Sequence, residues 1–478
     1  CLAILAQVCR LKSAPQRMPP SGLLLLSLVG AAAVQPQSDE EGLSASAGQR
    51  HWWPHCHGHI GAYGHTNLAG PPSLKGALKW TWHHPNWEVM LGSLLDRDKN
   101  IYVTNVDGIR KFSPAGELLW HFRPPRPAQL SKASSLMGET IYGDLLTGHL
   151  FALDIHTGKL RWSTKLFTGA SEGDTAYVEA HDGVVLTIFD QQFKVDRVGN
   201  VKIIAADATD GSKLWEYTSD VILWNFKATF LEDGTFLTYD VHGGIQRIRV
   251  SDGSLVWRTR PTEHNVKFPV NATFSDGGVT VTPDKKIAYT CANLVHGQEG
   301  TPGILRAYTI EDGQPLWQQV LPFPCVSWPA VDPSGQSVVV VVGSFAQQWK
   351  PCPVGAMKFN ALTGGTVWNF FEMPPLFFHG ARGDPEHMEQ RMGNKEYDRD
   401  GCGPASWSAP IIDGNGTVYA SNHVGHLYAV NDANQNRIIE QGEFEFLDVG
   451  ASSLHCGAGF APGMMVFPTC DTLFVWQY

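Results

Sequence analysis

"FALDIHTGKLRW" (151–162) begins as an apolar strand, turns at Thr157-Gly158 and ends on a tryptophan. One copy would suit either a ligand-binding box or a fold signature, and recurrence decides between them. The core of the motif is a glycine, three residues and a tryptophan. "GALKW" ends at Trp80, "GELLW" at Trp120, "GKLRW" at Trp162 and "GSKLW" at Trp215. "GSLVW" ends at Trp257, "GQPLW" at Trp317 and "GGTVW" at Trp368. "YAVNDANQNRII" reads as a degraded eighth copy with Ile439 in the tryptophan position. The successive spacings are 40, 42, 53, 42, 60, 51 and 71 residues. A floor near 40 with variable excess marks a repeat with insertions.

Each unit reads as four short strands. "SAPIID" (408–413), "TVYASN" (417–422) and "GHLYAVND" (425–432) precede the tryptophan-type strand and are punctuated by Gly and Asp. Such units point to an all-β array of propeller blades. No 3.6-residue apolar period supports a helical solenoid. "LKGALKWTW" (74–82) supplies only an outermost strand, and "GMMVFPTCDTLFVWQY" (463–478) supplies inner strands without a tryptophan strand. Together they make one blade. The expectation is an eight-bladed propeller over 51–478, closed by pairing the N-terminal strand with the C-terminal strands, which removes a free edge. Trp80, Trp120, Trp162, Trp215, Trp257, Trp317 and Trp368 are then structural, packing between blades. In the opening stretch Asp154 bonds its own turn and Gly158 permits a positive φ.

The pattern Ala-x-Asp-x-x-Thr-Gly-x-x-x-Trp resembles the repeat of the pyrroloquinoline-quinone (PQQ)-like propellers, the quinoprotein alcohol dehydrogenase-like superfamily. "WWPHCHGHIGAYGHTNLAGP" (52–71) is similar to the segment by which many members reach their first blade. The resemblance implies the fold and leaves two functions open, since the superfamily includes dehydrogenases and non-enzymatic binders. The dehydrogenases typically hold PQQ over a tryptophan floor, beneath a disulfide of adjacent cysteines and beside Ca²⁺. This chain has nine cysteines, no Cys-Cys pair and no Cys-x-x-Cys-His, and no metal-ligand motif of the family can be matched residue by residue. The reading that follows is a non-catalytic binding or scaffold propeller. The alternative is a PQQ- and Ca²⁺-dependent oxidoreductase with a divergent site.

Composition bounds the partners. The chain has 478 residues, 43% of them hydrophobic, and a formal net charge of −10. That is ample for a large core and lacks the basic field of a polyanion binder, so nucleic acid is not an expected partner. "SGLLLLSLVGAAAVQ" (21–35) has the apolar run and small residues of a secretory signal, with Ala31-x-Ala33 as cleavage pattern and too few apolar residues to span a bilayer. Residues 1–34 are therefore read as targeting segment, with Arg10, Lys12 and Arg17 as its positive region. If Met18 is the true start, 1–17 is not translated. Residues 35–50, polar and acidic, read as a disordered linker. The expected location is the secretory pathway, lumenal or extracellular.

The insertions have a common side. "FDQQFKVDRVGN" (189–200), "ANLVHGQEGTPG" (292–303) and "SFAQQWKPCPVG" (344–355) connect second to third strands. The longest, 370–405, leads from one blade to the next. In a four-stranded antiparallel blade both kinds of connection lie on one face. Long loops on one face of a rigid scaffold are where binding resides, and tolerated drift is the competing reading. Leu376, Phe377 and Phe378, with Trp349 of the neighbouring insertion, are candidate partner contacts; the duller reading folds the phenylalanines onto their blade. "DPEHMEQRM" (384–392) reads as a short helix capped by Asp384.

Other residues carry weaker signals. His55, His57 and His59 alternate along a stretch that also holds His51, Cys56 and His65, and on one strand face they are candidate Zn²⁺ or Cu²⁺ ligands; no finger-type spacing supports this. Cys325 with Cys352 and Cys456 with Cys470 are candidate disulfides. Asn271-Ala-Thr273 and Asn415-Gly-Thr417 are glycosylation sequons. "GASEG" (169–173) matches a nucleophile elbow but precedes strands rather than the helix that motif requires.

Overall fold

The computed structural model describes residues 50–478 apart from 86–89, 127, 131, 169–176, 190–200, 224, 260–277, 294–301, 326, 344–350, 353, 372–375, 378–407, 423–424 and 451–455. Eight four-stranded antiparallel sheets form the propeller. Blades 1 to 7 take their strands, named A to D here, in chain order within 90–122, 135–165, 179–218, 229–258, 280–321, 330–371 and 411–448. Blade 8 takes Gly459–Ala461, Met464–Pro468 and Thr472–Gln477 from the end of the chain and Leu78–His83 from its beginning. Trp80 pairs with Val475 and Thr81 with Phe474, so the ring is closed by strand pairing across the chain ends.

Burial separates the strands. The A strands contact one another between neighbouring blades and surround the axis. B and C strands are buried on both faces because each blade is sandwiched between two others. Blade 6 shows why that suits the sequence: Ser337–Val342, "SVVVVV", is buried at every position. A continuous β-branched run fits a strand covered on both sides. The D strands lie at the rim, and Leu160–Lys165 alternates between exposed and half-buried. Clean alternation is thus confined to the rim.

The repeat motif is an inter-blade staple. In blade 2, Ala152 pairs with Trp162 and Leu153 with Leu160, leaving Arg161 as a one-residue bulge. The same shift precedes Trp80, Trp120, Trp215, Trp257, Trp317 and Trp368. Six of these indoles donate to a turn carbonyl of the following blade. They are Trp80 to Pro114 (2.9 Å), Trp120 to Ile155 (3.0 Å), Trp162 to Ala208 (3.1 Å), Trp215 to Val250 (2.8 Å), Trp257 to Ile310 (3.1 Å) and Trp317 to Ala361 (3.0 Å). Each ring covers the glycine of the receiving turn. At Gly158 (φ +67°) a Cβ would lie 2.7 Å from the Trp120 ring, and at Gly211 (φ +74°) 2.5 Å from the Trp162 ring. Both left-handed backbone and close approach demand glycine there. Asp154 holds the turn by accepting from the amides of His156 and Thr157.

Blade 7 corrects the eighth copy. Ile439 lies outside any strand, in the connection from C to D, and packs towards the cluster containing Trp368. The fourth strand is Phe444–Asp448, without a bulge. Glu445 pairs with Ala429, the register that Trp162 holds against Ala152. Its carboxylate accepts from the backbone amide of Leu74 and from the Ser73 hydroxyl (3.3 Å) at the approach to the closing strand. The staple is inverted there: an acceptor reaches across where the other blades extend a donor.

Candidate functional site

The site begins with the segment that precedes the closing strand. Residues 53–74 run from blade to blade across the A strands. The amide and carbonyl of Trp53 bond to Leu95 of blade 1, and the Pro54 carbonyl accepts from Leu136 of blade 2. The Ile60 carbonyl accepts from Phe230 of blade 4, and that of Tyr63 from Val331 of blade 6. Gly64 and Thr66 both bond to Ile412 of blade 7. Between these anchors the chain turns back on itself, with reciprocal bonds between His55 and Gly58 and left-handed φ at His57 (+81°) and Gly58 (+99°).

That turn fills the channel. Cys56 is disulfide-bonded to Cys456, at the approach to the A strand of blade 8, across 400 residues of chain. Gly92 of blade 1 makes room: a Cβ there would lie 2.6 Å from the Cys56 sulfur and 2.7 Å from that of Cys456. Cys56, Cys456, Ala133, Tyr177, Trp328 and Ala409 form one buried cluster, contributed by the arm and by the approaches to five A strands. His57 packs on Trp328 with ring centroids 4.9 Å apart, and its Nδ1 lies 3.3 Å from the Ala62 carbonyl. Burial, then the Lys227 charge, pushes its pKa down to about 3.

A buried charge group completes the plug. Lys227 Nζ donates to the Cys56 carbonyl, lies 3.6 Å from Glu179 Oε1 and stands 4.6 Å from the centre of the Trp328 ring. His55 Nδ1 lies 2.6 Å from the other Glu179 oxygen. Burial lowers the Lys227 pKa to about 8, against the raising effect of Glu179. A buried cation is tolerable only with such partners. The assembly joins arm, blade 3 and the approach to blade 4 by charge, and arm to blade 8 by a covalent bond.

The candidate residues separate accordingly. His55 and His57 sit on opposite sides of a turn rather than on one strand face, and engage Glu179 and Trp328; His59 is exposed. His51 donates to the Gly138 carbonyl (2.7 Å) and His65 to that of Val331 (2.7 Å), so these histidines spread over several blades. Among the described residues no three His, Cys, Asp or Glu side chains group to hold a metal. Cys325 pairs with Cys291, not Cys352, and Cys456 with Cys56, not Cys470. The Cys291 partner closes the A approach of blade 6 against the B strand of blade 5, a proximity between blades that sequence spacing hides. Neither Cys56–Cys456 nor Cys291–Cys325 joins adjacent cysteines.

On the face of the B–C and D–A connections, Pro351–Cys352 pairs antiparallel with Leu376–Phe377. This ribbon joins the B–C insertion of blade 6 to the insertion that follows its D strand. Trp349, Phe378, the segment 384–392, "GASEG" and Asn271 lie outside the described residues. No helix among the described residues is long and apolar enough to cross a membrane.

Comparison with known proteins fits this architecture. The family profile described as outer membrane protein assembly factor BamB matches residues 105–221 and 199–369. The chain belongs to the PQQ-like repeat β-propeller family. BamB of Burkholderia pseudomallei (strain K96243) is 24% identical over 294 aligned residues, covering 54% of this chain and 71% of that protein. The crystal structure of BamB from Moraxella catarrhalis superposes with a TM-score of 0.57 at 15% identity, covering 84% of this chain and 99% of that one. Quinohemoprotein alcohol dehydrogenase from Comamonas testosteroni superposes with a TM-score of 0.61 at 11% identity, covering 91% and 81%. At these identities both structures bear on the fold alone.

Proposed function

We propose that this chain is a non-catalytic binding or scaffold propeller of the secretory or extracytoplasmic space, which takes a protein partner on the face carrying its inserted loops. The observation that carries the reading is the ribbon between Pro351–Cys352 and Leu376–Phe377, where two separate insertions meet on one face. The arm packed among the approaches to the A strands supports it, since those side chains serve structure there. The BamB relatives carry the description of assembly factors, which favours a scaffold over a catalyst. The disulfides Cys56–Cys456 and Cys291–Cys325 favour an oxidising compartment. Residues 1–34 serve as the leader on this reading and 35–50 as the linker to a propeller of 51–478. Leu376, Phe377, Phe378 and Trp349 supply the apolar contacts at the core of the interface.

The test is cross-linking capture by the full chain in secreting cells, run beside a variant lacking residues 372–403. The expected result is a partner enriched by the parent and lost in the variant, with the thermal transition of the variant unchanged. Equal capture by both proteins sinks the loop-face assignment.

A further inference from the structure

We propose that Asn415 is an N-glycosylation site, so that an oligosaccharide marks the face opposite the inserted loops; this rests on the reading of the chain as entering the secretory pathway. Asn415-Gly-Thr417 forms the A–B turn of blade 7. The A–B and C–D turns share one face, and the B–C and D–A connections that carry the insertions share the other.

The turn is built without the Asn415 side chain. Asp413 Oδ1 accepts from the amides of Asn415 (2.9 Å) and Thr417 (2.8 Å), and the Gly414 amide bonds to the Leu68 carbonyl. Asn431 Nδ2 donates to the Asn415 carbonyl (3.3 Å) and the Thr417 hydroxyl (3.2 Å). Asn415 is exposed, and its side-chain amide takes part in none of these bonds. The neighbouring Gly416, at φ +84°, faces open space, with no atom within 4 Å of an added Cβ. A glycan on Asn415 therefore displaces no packed group and breaks no turn bond. This separates the site from a sequon buried in a fold, where the same three residues would have no room for sugar.

The step is a glycosyl transfer. The Asn415 amide nitrogen attacks C1 of a lipid-linked oligosaccharide pyrophosphate. A C–N bond forms, the C1–O bond to pyrophosphate breaks, the amide loses one proton and the lipid pyrophosphate departs with the bonding pair.

The experiment uses the full chain expressed with its own leader in eukaryotic cells that attach N-linked glycans. Peptide-N-glycosidase treatment of the recovered protein is expected to convert Asn415 to Asp in the tryptic peptide spanning it. N415Q and T417A should each remove the glycan from this position, while T417S retains it. A structural role for the turn alone would not give that pattern. An unmodified Asn415 overturns the site. Disulfide mapping of the same sample tells which reading has failed. If Cys56 and Cys456 are bonded, the site is wrong and the compartment stands; if both are free thiols, the compartment reading falls with it.

Discussion

Two stretches of the ring are held together by different chemistry. From blade 8 through blade 5, a tryptophan of each blade donates to the turn of the next and covers its glycine, as Trp120 does at Ile155 and Gly158. Around blades 7 and 8 that pattern stops. The turn facing Trp368 lacks the glycine, with left-handed backbone at Gln435 and Arg437 instead, and Glu445 replaces the tryptophan. There the arm does the bracing, with Tyr63 on blade 6, Gly64 and Leu68 on blade 7, and Leu74 on Glu445. Repetition stabilises a ring where the blades are alike. Where the chain ends meet, one long-range segment replaces it.

The comparison breaks most sharply at the covalent link. Replacing Cys56 and Cys456 together with serine releases a loop of 400 residues. The expected loss is about 4 kcal/mol, near the upper part of the range for native disulfides. Denaturant unfolding of the oxidised parent and the double variant measures it, and hydrogen exchange should localise new opening to residues 53–66. An exchange increase spread evenly over all blades would contradict the bracing role.

Acid should act on the same plug. His57 binds its proton only near pH 3 in the fold, against 6.5 when free. Between those values the unfolded chain takes up the proton and the folded chain does not. Stability attributable to this residue is therefore complete above pH 6.5 and falls as pH drops, by up to about 1.4 kcal/mol per pH unit. H57Q should flatten that part of the profile.

In the stapled region, G158A combines a left-handed backbone with a Cβ 2.7 Å from the Trp120 ring. The expected cost is about 3 kcal/mol. Gly183 is the control, also left-handed (φ +81°) but with nothing within 4 Å of a Cβ. G183A should cost about 1 kcal/mol. Equal losses would mean that backbone strain, not the indole contact, requires the motif glycine. An effect as small as that of G183A is expected at the inverted staple, where E445A should cost about 1 kcal/mol by stranding the Leu74 amide and the Ser73 hydroxyl.

The ring was legible because it repeats. Glycine and tryptophan at fixed spacing carry both the blade count and the closure by Leu78–His83. The fourth strand of blade 7 was misplaced because the signature vanished: Glu445 does the work of a tryptophan, and no local pattern says so. The plug was harder still. Its histidines alternate as they would on a strand, but left-handed residues at His57 and Gly58 turn the chain and send the rings to different blades. Cys56 finds Cys456, and Cys291 finds Cys325, through proximity that exists only once the ring has closed. One clue was present in the sequence: Gly92 interrupts the apolar run "VMLGSLL" (89–95), and its missing side chain makes room for the disulfide.

The central claim is that the channel serves structure and that binding belongs to the loop face. Its most direct test is titration of the oxidised full chain with PQQ and Ca²⁺, followed by absorbance and by dye-linked oxidation of an alcohol and aldose panel. The expected result is no saturable quinone uptake and no turnover. Stoichiometric uptake with turnover would contradict the account, because the arm would then have to leave the axis or the quinone would have to sit beside it.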